Sequence, residues 1–169
     1  DLAEVGQYGP YFSLSKQRPV MMSSGPLVVD GQPIAILAAE LNLDSLSEIV
    51  RRGTTGRQTI QSYLVNSANL FVTQPALESD PAVLRKANFT APIRSCLGGG
   101  SDGARAEDFR AVDALVFYRW VADAQLCLVT QIDRAEALAA TRSVTLQFFI
   151  TGLIALAFLV LLVLLFVPE

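Results

Sequence analysis

Glu40 is a carboxylate that could either hold a ligand or simply meet solvent. It ends an aliphatic run, Ile34 to Ala39, that is typical of a buried strand, and a helix is expected directly after it. In solvent near a helix N-terminus, such a carboxylate gains about 0.3–1 kcal/mol from the helix dipole. If it faces a pocket, it could contact a bound molecule. The local sequence leaves both interpretations open.

The absence of histidine from the sequence restricts the catalytic chemistry that this segment could perform. A Ser-His-Asp triad, an imidazole metal site and a histidine general base are excluded. No carboxylate pair stands in a context typical of catalysis, and the acidic residues lack the spacing of a calcium loop. We therefore expect no catalysis, cofactor or metal in this segment. Whether a longer parent protein is an enzyme stays open.

Cys96 and Cys127 are the two cysteines of the chain. Two are too few for a disulfide framework or a cysteine-based zinc site. They could form one bridge in an oxidising compartment, or they could be two buried free thiols. The sequence does not decide between these alternatives.

The charge balance argues against nucleic acid as a partner. The chain of 169 residues carries a formal net charge of −3 and shows no basic stripe. Its length suits one domain, or one domain with part of another.

The strongest pattern is an apolar segment near the C-terminal end. Phe148 to Val167 holds 20 residues without a charged side chain, and as a helix it would measure about 30 Å, the hydrocarbon thickness of a bilayer. We predict a transmembrane helix at 148–167 that contacts membrane lipid. Its C-terminal position, with no cleavage region after it, is not that of a signal peptide.

The elements that would position Glu40 lie in the first third of the chain. Residues 1–19 are polar and turn-rich, which predicts a loop. Val20 to Val29 and Ile34 to Leu41 are predicted strands, and Asp30-Gly31 between them is typical of a type I′ hairpin turn.

A helix should follow the second of these strands, with Asn42 or Asp44 as its cap. Residues 53–56, rich in glycine and threonine, should end it and form a linker. Its predicted apolar stripe consists of Leu43, Leu46, Ile49 and Val50.

The middle of the chain is predicted to contain short strands and helices. Strands are expected from Thr59 to Val65 and from Leu70 to Thr73, and short helices at 81–86 and 92–97. Residues 98–105 are rich in glycine but lack the Gly-Lys-Ser/Thr ending of a phosphate loop, so we predict a flexible surface linker.

A hairpin is predicted at 112–132, with its turn at 122–125. Tyr118 and Trp120 share one face of the first strand, and we expect them in the core. Arg119, on the other face, could contact a carboxylate ligand, but pairing with Asp113 or Glu107 is the favoured interpretation.

The last soluble element should be a helix at 134–147 that continues into the apolar segment. Asp133 with Glu136 three residues later resembles a capping box. An unbroken helix of this kind could carry a conformational change from the last strand along its length.

This order of elements resembles the extracytoplasmic double Cache sensor regions of bacterial transmembrane receptors, which are PAS-like. The likeness covers nearly the whole chain and is carried by the strand hairpin, the helix, the segment YLVNSANLFVTQP and the final hairpin with its exit helix. The motifs in that last part are Phe109-Arg110-Ala111-Val112, Tyr118-Arg119-Trp120, Leu128 to Asp133, and Glu136-Ala137.

The resemblance implies an α+β fold of antiparallel sheets with flanking helices, followed by one transmembrane helix. Residues 1–52 would be the C-terminal part of a membrane-distal module with its connecting helix, and 53–133 a membrane-proximal module. A juxtamembrane helix would occupy 134–147. Residues 1–143 would then lie outside the inner membrane.

The resemblance also implies a ligand-sensing role. Tyr11 and Glu40 match positions at the distal pocket of the family, whose ligands are often amino acids or carboxylates. The receptor would be a homodimer that signals through a histidine kinase, with a diguanylate cyclase or chemoreceptor as the alternative. A membrane-anchored protein-interaction domain without a small ligand is the other hypothesis.

Overall fold

A computed structural model describes residues 6–52 and 56–166. One unit of the chain ends at Asp133 and contains two antiparallel sheets and two short helices, while a second unit begins at Arg134 and is a single helix. The predicted α+β class with antiparallel sheets is confirmed. The elements in chain order are β1 (Gly6–Ser13), β2 (Arg18–Val29), β3 (Gln32–Asn42), α1 (Leu43–Arg52), β4 (Gln61–Asn66), α2 (Ala91–Leu97), β5 (Ser101–Glu107), β6 (Asp113–Val121), β7 (Leu126–Asp133) and α3 (Arg134–Phe166).

The predicted hairpin forms β2 and β3 of the first sheet, whose strand order is β1-β2-β3. Asp30 and Gly31 have φ angles of 50° and 77°. Two successive positive φ angles are what a type I′ turn requires, and such a turn follows the natural twist of the strands it joins. The turn therefore fixes the register in which β3 returns along β2.

The structure corrects the prediction of a loop at 1–19, because residues 6–13 form the edge strand β1. Residues 1–5 lie outside the described part. Gly9 and Pro10, two of the turn-forming residues of this segment, lie at a bulge in the pairing with β2, between Tyr8 and Tyr11. Proline is tolerated on an edge strand and at a bulge, where its missing N–H interrupts no central ladder.

Helix α1 starts as predicted, with Asn42 as its cap. The Asn42 Oδ1 atom accepts a hydrogen bond of 3.0 Å from the backbone N–H of Asp44, which satisfies one of the unpaired donors of the first turn. Leu43 is fully buried, but Ile49, predicted to share its face, is exposed. Residues 53–55 of the predicted linker lie outside the described residues.

The second sheet has the strand order β4-β7-β6-β5. Its core contains an aromatic group of Tyr63, Phe71 and Phe109, whose ring centroids lie 5.2–5.6 Å apart in edge-to-face contacts. Such contacts add about 0.5–1.5 kcal/mol per pair beyond the burial of area. Tyr118 and Trp120 pack against this core, as predicted.

Strand β5 corrects the prediction of a flexible linker at 98–105. Residues 101–107 pair with β6 along their whole length, and Gly103 lies opposite Phe117. A Cβ atom at Gly103 would come within 2.6 Å of the Phe117 ring. Glycine thus serves close cross-strand packing in an edge strand here.

Two smaller predictions in the middle of the chain are also corrected. The segment 70–73 forms only isolated bridges, from Phe71 to Val65 and from Leu70 to Ala87. Residues 81–86 form a turn and no helix, while the second predicted helix is present as α2.

A buried cluster joins the base of the first hairpin to the second sheet. Met21 of β2 and Leu43 of α1 pack with Leu64, Val72 and Leu126. Ser47 of α1 adds a polar contact, since its hydroxyl accepts a 3.1 Å hydrogen bond from the backbone N–H of Gln74. The first sheet is therefore anchored on the second through α1 and the start of β2.

Helix α3 covers 33 residues, including the predicted juxtamembrane segment 134–147. Among the described residues, no helix is both long enough and apolar enough to cross a membrane. The predicted span from Phe148 ends at Val167, which lies outside those residues.

Candidate functional site

The register of the first sheet places Tyr11 and Glu40 on one face. Tyr11 lies opposite Val20, and Glu40 lies opposite Met22. Directly opposite residues of an antiparallel pair share a face, and so do residues two apart on one strand. A molecule bound on this face could therefore contact Tyr11 and Glu40 together.

Glu40 already has a partner within the chain. Lys16, in the turn between β1 and β2, places its Nζ atom 2.8 Å from Glu40 Oε1. The angles at this contact fall outside the range of a hydrogen bond. The buried Oε1 atom of Glu40 therefore has no hydrogen-bond partner among the described residues. Both side chains keep some exposure, so the pair contributes about 0–1 kcal/mol. A ligand ammonium at Glu40 would have to displace Lys16.

A second candidate region is a network of polar side chains within residues 56–133. It is centred on Asp108, whose side chain is 0% exposed. Its Oδ1 atom accepts backbone N–H bonds from Arg110 (2.8 Å) and Val112 (3.1 Å). Its Oδ2 atom accepts hydrogen bonds from Arg110 Nε (2.8 Å) and Gln131 Nε2 (2.6 Å). These four bonds offset the cost of burying a carboxylate.

Arg110 links this buried carboxylate to the end of the last strand. Its guanidinium contacts both Asp108 and Asp133. Asp133 ends β7, and its backbone N–H donates a 3.1 Å hydrogen bond to Thr59 Oγ1. The residue that immediately precedes α3 in the chain is thus held by the loop between β5 and β6.

Tyr63 extends the network into the core. Its phenol donates a 2.8 Å hydrogen bond to Gln131 Oε1 and accepts a 3.3 Å bond from Asn88 Nδ2. Burial is the main cause that raises the pKa of Tyr63 well above its usual value, and the charge of Asp108 adds to the effect. The network therefore contains a phenol that stays protonated in the folded state where an exposed one would ionise.

This buried phenol predicts an alkaline loss of stability. Above about pH 10 the unfolded chain releases the Tyr63 proton and the folded chain keeps it, so the free energy of unfolding falls by up to about 1.4 kcal/mol per pH unit from this group. Tyr63→Phe should remove that component. Urea unfolding of both proteins on either side of about pH 10 measures it. If the free energy of unfolding of both proteins changed with pH in the same way, Tyr63 would not be the source of the alkaline loss of stability.

Cys96 of α2 and Cys127 of β7 form a disulfide, which decides the alternative that the sequence left open. Both cysteines are fully buried. Asp113, one of the two partners expected for Arg119, forms a two-point ion pair with Arg105 at 2.9 Å.

The residues of the Asp108 network were not identified as a group from the sequence. Asp108 and Gln131 are separated by 23 positions, as are Arg110 and Asp133. In the sequence, Asp108, Arg110 and Asp133 lie beside predicted strand ends, which is the one indication of a site there. Only the pairing of β6 with β7 shows that these side chains come together.

No protein-family model matches this sequence, and no curated protein matches it either. The fold is instead similar to solved extracellular sensor domains. The extracellular domain assigned to the histidine kinase mmHK1S-Z3 matches with a TM-score of 0.61 and 15% identity, over 83% of this chain and 53% of that one.

Two ligand-binding domains show the same likeness. The ligand-binding domain of the Pseudomonas aeruginosa PAO1 amino acid chemoreceptor PctB, in complex with L-Gln, matches with a TM-score of 0.57 and 14% identity, over 89% of this chain and 60% of that one. The ligand-binding domain of Mlp24 with asparagine matches with a TM-score of 0.53 and 13% identity, over 81% and 54%. The chain spans little more than half the length of these domains. Its fold is that of extracellular sensor domains of histidine kinases and chemoreceptors.

Proposed function

We propose that this chain is the extracytoplasmic ligand-sensing segment of a bacterial membrane receptor. The observation that carries this proposal is the likeness of its fold to the extracellular domain assigned to a histidine kinase and to the ligand-binding domains of PctB and Mlp24, over about 80–90% of the chain. A receptor needs a folded domain that binds a signal, and no catalytic group is needed in that part. The experiment that tests the proposal is a search for a ligand, in which at least one amino acid or small carboxylate should bind the purified chain.

The proposed location is the outer side of the inner membrane, with residues 1–143 extracytoplasmic and a span from Phe148 to Val167. Two observations support it. The Cys96–Cys127 disulfide suits an oxidising compartment. The sequence from 148 to 167 contains no charged residue, which suits contact with lipid.

The proposed output is a histidine kinase that acts as a homodimer, and a chemoreceptor or diguanylate cyclase is the alternative. Ligand binding would favour one of two arrangements of the sensor, which requires different affinities for the two. The chain passes from Asp133 at the end of β7 straight into α3 at Arg134. A change in β7 would therefore reach α3 without an intervening loop.

The proposed ligand site is the face of the first sheet that carries Tyr11 and Glu40, and the proposed ligand is an amino acid or small carboxylate. The Lys16–Glu40 pair determines which charge the site offers. An ammonium group would bind Glu40 in place of Lys16. A carboxylate group would bind Lys16 in place of Glu40.

Two variants distinguish these possibilities. For an amino acid found by screening, Glu40→Gln should weaken binding about tenfold or more, because a hydrogen bond to a charged group contributes about 1.5–3 kcal/mol. Lys16→Gln should strengthen it, because Glu40 is then free to receive the ammonium. Isothermal titration calorimetry on the purified chain measures both effects.

Glu48→Gln is the matched control, since Glu48 is an exposed carboxylate on α1 whose 3.9 Å pair with Arg52 is at the surface. It should leave affinity unchanged. Equal affinities of the Glu40→Gln variant and the unmodified protein would show that Glu40 is not a ligand contact. No binding by any amino acid or small carboxylate would favour the protein-interaction hypothesis.

A further inference from the structure

A cleft of about 620 Å³ lies in the 56–133 part, away from the first sheet. Its walls are formed by the segment that leads into α2 and by the end of β5 with the loop that follows. The volume falls within the range of about 300–1,000 Å³ in which small-molecule sites usually lie. It is large enough for a molecule the size of an amino acid.

Two side chains of opposite charge line this cleft, and they do not form an ion pair with each other. Arg94 of α2 and Glu107 at the end of β5 both line it. Within 6–52 and 56–166, neither residue takes part in an ion pair. One N–H of Arg94 donates a 3.1 Å hydrogen bond to the backbone oxygen of Phe89, which fixes the guanidinium beside the cleft and leaves other donors for a ligand.

An apolar contact surface accompanies the two charges. Phe89 lines the same cleft with its side chain 64% exposed. This ring offers an apolar surface, and its coverage by a ligand would remove apolar area from water.

We propose that this cleft is a second ligand site that takes a small zwitterion with an apolar side chain, namely an α-amino acid. Arg94 would bind the carboxylate with its planar pair of donors. Glu107 would bind the ammonium, and Phe89 would cover the side chain. This site shares no residue with the proposed site at Tyr11 and Glu40, so either can exist without the other.

The inner wall of the cleft places a bound ligand next to the Asp108 network. Asn88 and Asp108 line it and are both buried. Asp108 is the carboxylate that binds Arg110, and Arg110 contacts Asp133 at the end of β7. A molecule in the cleft would thus lie against the group that holds the last residue before α3.

The experiment uses the twenty common L-amino acids, each titrated into the purified chain by calorimetry. For the tightest binder, the analogue without its ammonium and the analogue without its carboxylate are titrated as well. Arg94→Gln and Glu107→Gln should each weaken the amino acid about tenfold or more, and both analogues should bind similarly weakly. Exposed Arg57→Gln and Asp123→Asn are the charge-matched controls and should leave the affinity unchanged.

Glu40→Gln separates this site from the first one. Binding that survives Glu40→Gln but is lost in Arg94→Gln and Glu107→Gln supports the cleft. Binding that is lost in Glu40→Gln and kept in the cleft variants overturns the cleft and supports the site on the first sheet. Absence of binding by all twenty amino acids also overturns the cleft proposal.

Discussion

Replacement of Asp108 by alanine should lower the free energy of unfolding by about 3–5 kcal/mol. The side chain is 0% exposed, so the variant loses the acceptor for two backbone N–H groups, for Gln131 and for Arg110. Arg110 would keep its charge in a half-buried position with Asp133 as its remaining carboxylate partner. Urea unfolding followed by the fluorescence of Trp120, the single tryptophan, measures the loss.

Asp113→Ala is the matched control for this prediction. Asp113 also binds an arginine at two points, Arg105, but the side chains of this pair are 43% and 61% exposed. An exposed pair contributes about 0–1 kcal/mol, so the control should cost little. Equal losses in the two variants would contradict the view that the buried carboxylate organises this part of the fold.

Loss of the disulfide should have the second large effect. The bond between Cys96 and Cys127 closes a loop with a sequence separation of 31 residues, and the chain-entropy relation predicts about 3–4 kcal/mol for a loop of this length. Cys96→Ala with Cys127→Ala should lower the free energy of unfolding by at least that amount, because two fully buried side chains are also shortened. Urea unfolding of the oxidised protein and the double variant gives the difference.

Reduction of the unmodified protein provides the control without any substitution. It should lower the urea midpoint as the double variant does, and it should expose two thiols to a thiol reagent only after the chain unfolds. Two reactive thiols in the unfolded protein without any reductant would show that the cysteines are free and would remove this support for an oxidising compartment.

The elements with strong local signals were predictable from the sequence. The strands on either side of Asp30-Gly31 form the hairpin of β2 and β3, since the turn requires two positive φ angles that these residue types tolerate. The aliphatic run from Ile34 to Ala39 is exposed in this hairpin and not buried as predicted. The cap at Asn42 and the hairpin of β6 and β7 follow from equally local patterns.

Two of the four edge strands, β1 and β5, were missed for a physical reason. Strands β1 and β5 contain glycine and proline at positions where an edge strand tolerates them, Gly9 and Pro10 at a bulge and Gly103 beneath Phe117. Local propensity is weak at such positions, and pairing with a neighbouring strand determines the conformation. Ile49 is exposed because only Leu43, Leu46 and Val50 of the predicted apolar stripe pack into the cluster beneath α1.

The candidate sites were predictable only in part. Glu40 was identified as a carboxylate at a strand end, but its neighbour Lys16 is 24 positions away and comes close only when β1 and β2 fold back. The cleft between Arg94 and Glu107 depends on how α2 packs against β5 and β6. No local pattern in the sequence brings these charges together.

The most direct test of the sensor proposal is a ligand screen on the intact purified chain, with amino acids and small carboxylates added one at a time before urea unfolding. A ligand present at one hundred times its Kd should raise the free energy of unfolding by about 2.7 kcal/mol, with a concentration dependence that matches its Kd from calorimetry. At least one compound should do so. Unchanged unfolding midpoints across the whole panel, together with no heat of binding, would contradict a small-molecule sensor.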